Sequence, residues 1–121
     1  MSIFNGVALV TGAASGIGRE TALSFAREGC KRIVIVDRDA KKLDDTELAI
    51  KESFQDVQVL VVPTDISKEE DIENLYSQAT KTFGRVDYVV NGAGKSCFDT
   101  EKVARQRLIV YRRVEQQQEV S

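Results

Sequence analysis

Val7-Ala8-Leu9-Val10-Thr11-Gly12-Ala13-Ala14-Ser15-Gly16-Ile17-Gly18 changes character twice within a dozen residues. Val7 to Val10 is a short apolar run with β-branched residues at both ends, as expected of a strand buried on both faces of a parallel sheet. From Gly16 the spacing turns helical, with Ile17, Ala22, Phe25, Ala26 and Gly29 expected near one face. Gly12, Gly16 and Gly18 fall between the two patterns. Three glycines at such a junction allow a tight turn, close approach of a diphosphate to bare backbone, and close packing of helix on strand. The unpaired N–H groups and positive dipole end of the new helix then favour an anion. The spacing is Gly-x3-Gly-x-Gly rather than the commoner Gly-x-Gly-x2-Gly, and an ordinary glycine loop at a strand end remains the plain alternative.

The next element narrows the choice. Ile33-Val34-Ile35-Val36 is a second apolar run, and it ends in Asp37, 19 positions after Gly18. An acid about 20 residues beyond the glycines is what a βαβ dinucleotide site uses to bind a ribose hydroxyl. A carboxylate there accepts hydrogen bonds from the 2′- and 3′-hydroxyls and repels a 2′-phosphate. The plain alternative is an aspartate that opens a turn. Arg38 beside it could instead pair with a 2′-phosphate, or simply be a solvated charge.

With these residues in place the chain resembles the short-chain dehydrogenases/reductases. Thr11-Gly12-Ala13-Ala14-Ser15-Gly16-Ile17-Gly18 is similar to that family's Thr-Gly-x3-Gly-x-Gly signature, and Asp37 falls where its NAD-preferring members keep an acid. Asp65-Ile66 resembles the family's Asp-hydrophobic pair that contacts adenine. Asn91-Gly92-Ala93-Gly94 resembles its Asn-Asn-Ala-Gly motif, with Gly92 in place of the second Asn. The resemblance runs from about Ile3 to Gly94 and stops there. It implies a cofactor site drawn from Thr11, Gly12, Ser15, Gly16, Ile17, Gly18, Asp37, Arg38, Asp65, Ile66, Asn91, Ala93 and Gly94, holding NAD in preference to NADP.

Composition excludes several other classes. The chain has 121 residues, 42% of them hydrophobic and 30% charged, with a net charge of −2. It is long enough for one domain with a modest core. Nothing in the charge points to nucleic acid or an anionic membrane. No apolar run approaches a membrane span, and the N-terminus lacks the features of a secretory signal, so a cytoplasmic setting is expected. The two cysteines, Cys30 and Cys97, are too few for a disulfide scaffold. There is no histidine, which removes Ser-His-Asp and Cys-His catalysis and histidine-bound zinc together.

The rest of the chain alternates strand and helix. Gly29 should stop the first helix. Asp39 should cap a second, from Ala40 to Phe54, and Val57 to Val62 should form a third strand ending at Pro63. Ser67-Lys68-Glu69-Glu70 reads as a capping box for a helix carrying Ile72, Leu75, Tyr76, Ala79 and Phe83 on one face. Val86 to Val90 reads as a fourth strand. The expected fold is therefore α/β: a Rossmann-type, doubly wound parallel sheet of about four strands in the order 3-2-1-4, with the crevice between strands one and four at their carboxyl ends. Two of the helices should lie on one face and the third on the other.

The family's chemistry uses an Asn after the next helix, a Ser on a fifth strand and a Tyr-x3-Lys pair. Tyr76, Tyr88 and Tyr111 are followed four positions on by Thr80, Gly92 and Glu115, so no Tyr-x3-Lys occurs. Residues 1–94 are expected to be a dinucleotide-binding portion. Residues 95–121 are expected to be a divergent tail, helical from about Thr100 to Gln117. The sequence thus reads as the cofactor-binding half of an oxidoreductase, not catalytic by itself. The alternative is a nucleotide-binding or interaction fragment whose fourth strand pairs its open edge with a family member.

Overall fold

The computed structural model describes residues 5–14 and 16–91, and contains β1 (Val7–Thr11), α1 (Gly16–Arg27), β2 (Arg32–Asp37), α2 (Ala40–Ser53), β3 (Gln58–Pro63), α3 (Glu69–Phe83) and β4 (Tyr88–Asn91). Ser15, Ala93 and Gly94 of the expected site, and the expected tail helix, lie outside the described residues. The four strands form one parallel sheet in the order β3-β2-β1-β4, the doubly wound order expected. Among the described residues β4 is an edge, paired only with β1.

Strand alternation divides the core into two layers. Ala8, Val10, Ile33 and Ile35 face Ala22 and Ala26 of α1 and Leu43 and Ile50 of α2. Val7, Leu9, Val34, Val36 and Val62 face Leu75, Tyr76 and Ala79 of α3. β1 and the middle of β2 are buried on both faces, which is why their sequences are continuous apolar runs. Tyr76 is packing rather than chemistry, with 2% of its surface exposed. Tyr88 stacks on Phe25 with ring centroids 6.0 Å apart.

Backbone chemistry sets the helix ends. α1 closes with a Schellman pattern: Cys30 N–H donates to the Phe25 carbonyl, Gly29 N–H donates to that of Ala26, and Gly29 takes φ 99°. The Asp39 side chain caps α2 by accepting from the Lys42 N–H at 3.1 Å.

Three expectations need correction. The capping box at Ser67–Glu70 does not form. α3 begins at Glu69 behind Lys68, which makes no side-chain cap, and Ser67 donates both its N–H (3.0 Å) and its hydroxyl (2.6 Å) to Asp65 Oδ1. The nearer carboxylate takes the serine before the helix can. Ile17 lies off the apolar face of α1, 68% exposed. Gly18, one position and about 100° further round, is the residue turned to the sheet. The fourth strand begins at Tyr88 rather than Val86, because Asp87 is diverted to another task. Its Oδ2 accepts the Val7 N–H at 2.7 Å and its Oδ1 accepts from Arg85 Nε at 2.9 Å. A Cβ on Gly6 would collide with that carboxylate. An aspartate at the head of an apolar strand is the sequence signal for this clip.

Candidate functional site

The carboxyl ends of β1, β2 and β3 bring the expected residues together. Gly12 leaves β1 with φ 68° and Gly16 enters α1 with φ 60°, both in the left-handed region that favours glycine. Open space surrounds the position a Cβ would take at Gly16, as close approach of a ligand to bare backbone requires. Gly18 is buried, and a Cβ there would collide with the carbonyl of Gly12. Gly12 thus turns the chain, Gly16 stands in open space and Gly18 packs closely on Gly12. The first turn of α1 presents backbone N–H groups and carries no acidic residue, so its dipole end is left for an anion. Ile17, exposed in that turn, is available to pack on a bound group.

Asp37 ends β2, and the strand pairing sets it beside Pro63 of β3. Its carboxylate is held at both oxygens: Oδ2 accepts the Ala14 N–H at 3.1 Å and Oδ1 accepts the Asp39 N–H at 3.2 Å. An ionised carboxylate has about four acceptor positions, so sites remain for ribose hydroxyls after both backbone bonds are made. Arg38 beside it is exposed.

The backbone of Asp37 also receives the Thr64 N–H at 2.8 Å, which draws the Asp65-Ile66 loop alongside. Asp71 of α3 accepts the Asp65 N–H at 3.0 Å. The two bonds from Ser67 hold the Asp65 carboxyl below the usual carboxylate range, with smaller help from the charges of Arg38 and Lys68. Asp65, two residues past the end of β3, and Asp37, at the end of β2, thus lie at neighbouring strand ends.

On the other side of β1, Thr11 pairs with Asn91 in register. The Thr11 hydroxyl donates to Asn91 Oδ1 at 2.7 Å, and both residues are buried. This joins the glycine signature to the Asn-Gly-Ala-Gly stretch at its first residue, across 80 positions of chain.

Two site-supporting residues leave no clear mark in the sequence. Thr46 of α2 is fully buried and donates its hydroxyl to the Ala13 carbonyl at 2.9 Å. Asp71 reads as one more acid at the start of a helix. Among the described residues no cluster of three or more His, Cys, Asp or Glu could hold a metal ion, and no helix is long and apolar enough to cross a membrane.

Known proteins are similar to this chain in sequence and in fold. Levodione reductase of Leifsonia aquatica is 39% identical over 88 residues, covering 73% of this chain and 33% of that protein. The chain therefore spans about a third of the length of the curated relatives it matches. A 3-ketoacyl-(acyl-carrier-protein) reductase from Brucella melitensis, solved with NADH, is 40% identical with a TM-score of 0.64, over 74% of this chain and 34% of that one. L-sorbose reductase from Gluconobacter frateurii, solved with NADPH and L-sorbose, is 30% identical with a TM-score of 0.77, over 94% of this chain and 47% of that one. The short chain dehydrogenase model matches residues 6–113, from the strand-one entry past Gly94 and into the stretch beyond the described residues. A match over that much of the sequence, on a sheet whose order and glycine turn agree with it, decides the matter: the chain belongs to the short chain dehydrogenase family.

Proposed function

We propose that the chain binds a nicotinamide dinucleotide across the carboxyl ends of β1, β2 and β3, taking NAD in preference to NADP. It would serve as the cofactor-binding part of an oxidoreductase that interconverts a hydroxyl and a carbonyl. The observation that carries this reading is the joint placement of the Gly12–Gly18 contact and the Asp37 carboxylate, tied to one another through the Ala14 N–H. When bound, the nicotinamide supplies hydride chemistry. The residues of this chain bind and orient it. The first turn of α1 receives the diphosphate, with Gly16 giving it room. Asp37 accepts from the ribose hydroxyls and, by its charge, disfavours a 2′-phosphate. Asp65 and Ile66 border the adenine. Thr11 and Asn91 hold the β1–β4 seam along which the nicotinamide half runs.

Of the family's proton-transfer groups, the Tyr-x3-Lys pair does not occur in these 121 residues. Binding without turnover is therefore the activity proposed for the chain by itself. Calorimetric titration with NAD and NADP, alongside a hydride-transfer assay, tests both parts. The expected outcome is saturable binding of both, NAD tighter, and no reduction of NAD in the presence of alcohols. A folded chain that binds neither dinucleotide, or prefers NADP, overturns the binding assignment. Measurable turnover overturns the second part.

A further inference from the structure

A single peptide unit in the glycine turn is gripped at both ends. The Ala13 carbonyl and the Ala14 N–H belong to one rigid plane. The carbonyl accepts from the Thr46 hydroxyl of α2 at 2.9 Å, and the N–H donates to Asp37 Oδ2 at 3.1 Å. The preceding N–H, that of Ala13, donates to the Val36 carbonyl at 3.0 Å. β2 and α2 therefore set the orientation of the plane that leads into Gly16, although neither element belongs to the turn.

Thr46 is an odd residue for its place. It lies on the second helix among charged neighbours, Lys42, Asp44, Asp45 and Glu47, yet it is fully buried. Its hydroxyl has one proton and two carbonyls in reach, that of Ala13 at 2.9 Å and that of Lys42 in its own helix at 3.2 Å. The shorter bond goes to the turn. A buried hydroxyl bonded only within its own helix would serve the fold alone; this one reaches 33 positions back to the backbone of the glycine turn.

We infer that Thr46 is a positioning residue for the dinucleotide: it fixes the Ala13–Ala14 peptide plane, and so the aim of the α1 N–H groups, without touching the ligand. The inference rests on the dinucleotide reading above and extends it to a residue outside the glycine, acid and Asn-Gly-Ala-Gly motifs. Because the same plane is held by Asp37, the diphosphate turn and the ribose acid are one mechanical unit. Loosening either end should be felt by the phosphates more than by the adenosine.

The test compares NAD with adenosine, which lacks the diphosphate, on the full chain by NMR titration of backbone amides. Thr46→Val removes the hydroxyl and keeps the shape. It is expected to weaken NAD about fivefold, the loss of one hydrogen bond, and adenosine by less than about twofold. Thr46→Ser keeps the hydroxyl and is expected to hold NAD within about twofold of the unaltered chain, even where the lost methyl lowers its thermal midpoint. Thr46→Ala, measured in the same way, replaces the valine variant if that does not fold. Equal affinity for NAD in the hydroxyl-free variant overturns the inference. So does a serine variant as weak as valine, or an equal loss of NAD and adenosine, since each traces the effect to packing. An unaltered chain that does not bind NAD overturns the dinucleotide reading itself and this inference with it.

Discussion

The glycine corner between β1 and α1 and the acidic corner between β3 and α3 solve the same problem in opposite ways. Both must hold a loop at the carboxyl end of a strand of the sheet. At the glycine corner the bonds come from elsewhere in the chain: Val36, Asp37 and Thr46 grip residues 13 and 14. At the acidic corner much of the work is local: Asp65 binds Ser67, two residues on, and receives support from Asp71, six residues on. The two aspartates even share a motif, each accepting the N–H two positions ahead. They differ in how the rest of the carboxylate is used. Asp37 reaches across to another strand's loop, whereas Asp65 spends a further bond on its own turn. A loop built from distant parts transmits a change in any of them. A loop built locally confines it.

The largest effect should follow from closing the glycine corner. Gly18→Ala drives a Cβ into the Gly12 carbonyl, which is backbone and cannot yield cheaply. A loss of about 3 kcal/mol in denaturant unfolding is expected, together with loss of NAD binding in titration. A variant as stable as the parent would mean that α1 can shift away from β1, and the corner would be less rigid than the contact implies.

Next in size is Asp37, where anchoring and charge can be separated. Asp37→Ala removes both, and is expected to weaken NAD about a hundredfold and NADP about fivefold. Asp37→Asn keeps an oxygen for the Ala14 N–H while removing the negative charge. It should weaken NAD about tenfold and leave NADP within about twofold. Parallel titrations of the two dinucleotides check this. An equal fall in NADP for both variants would show that the bond to Ala14 contributes nothing to binding.

The smallest effect belongs to the local corner. Asp65 sits below the ordinary carboxylate range because Ser67 bonds to its charged form. A group lowered in this way contributes stability above its unfolded pKa, and that contribution is lost as pH falls through its lowered folded value. Ser67→Ala should raise the Asp65 pKa toward the ordinary range and narrow that acid window. NMR titration of the Asp65 carboxyl carbon reads the shift directly. NAD affinity should change by less than about twofold; a larger change would tie the acidic corner to the site as tightly as the glycine one.

The same contrast explains which features are legible in the amino-acid sequence. The parallel strands, the helix placement and the glycine positions are legible because periodicity and left-handed or crowded backbone leave marks on residue type. Asp37 is legible because a fixed chain distance separates it from the glycines. Thr46 is not, because a threonine among charges on a helix carries no mark of the carbonyl it meets. Ser67 misleads for the converse reason. Its capping pattern with Glu70 is genuine as a sequence, but Asp65 lies nearer in space and binds more strongly as an ion. Ile17 is misplaced by counting apolar residues alone, where the closest contact to the sheet belongs to a residue with no side chain.

The β1–β4 pairing carries a consequence for how quickly the sheet can assemble. It is fastened near both ends, by Asp87 on the Val7 N–H and by Thr11 on Asn91, and each bond spans 80 positions. Val7 meets its β2 partner, Arg32, after only 25. By loop-closure entropy alone, bringing β4 to β1 costs about 1 kcal/mol more than bringing β2 to it. The difference favours strand one meeting β2 before β4. The β1–β2–β3 unit is expected to close while β4 is still distant, which leaves the seam that ends beside the glycine turn to shut last.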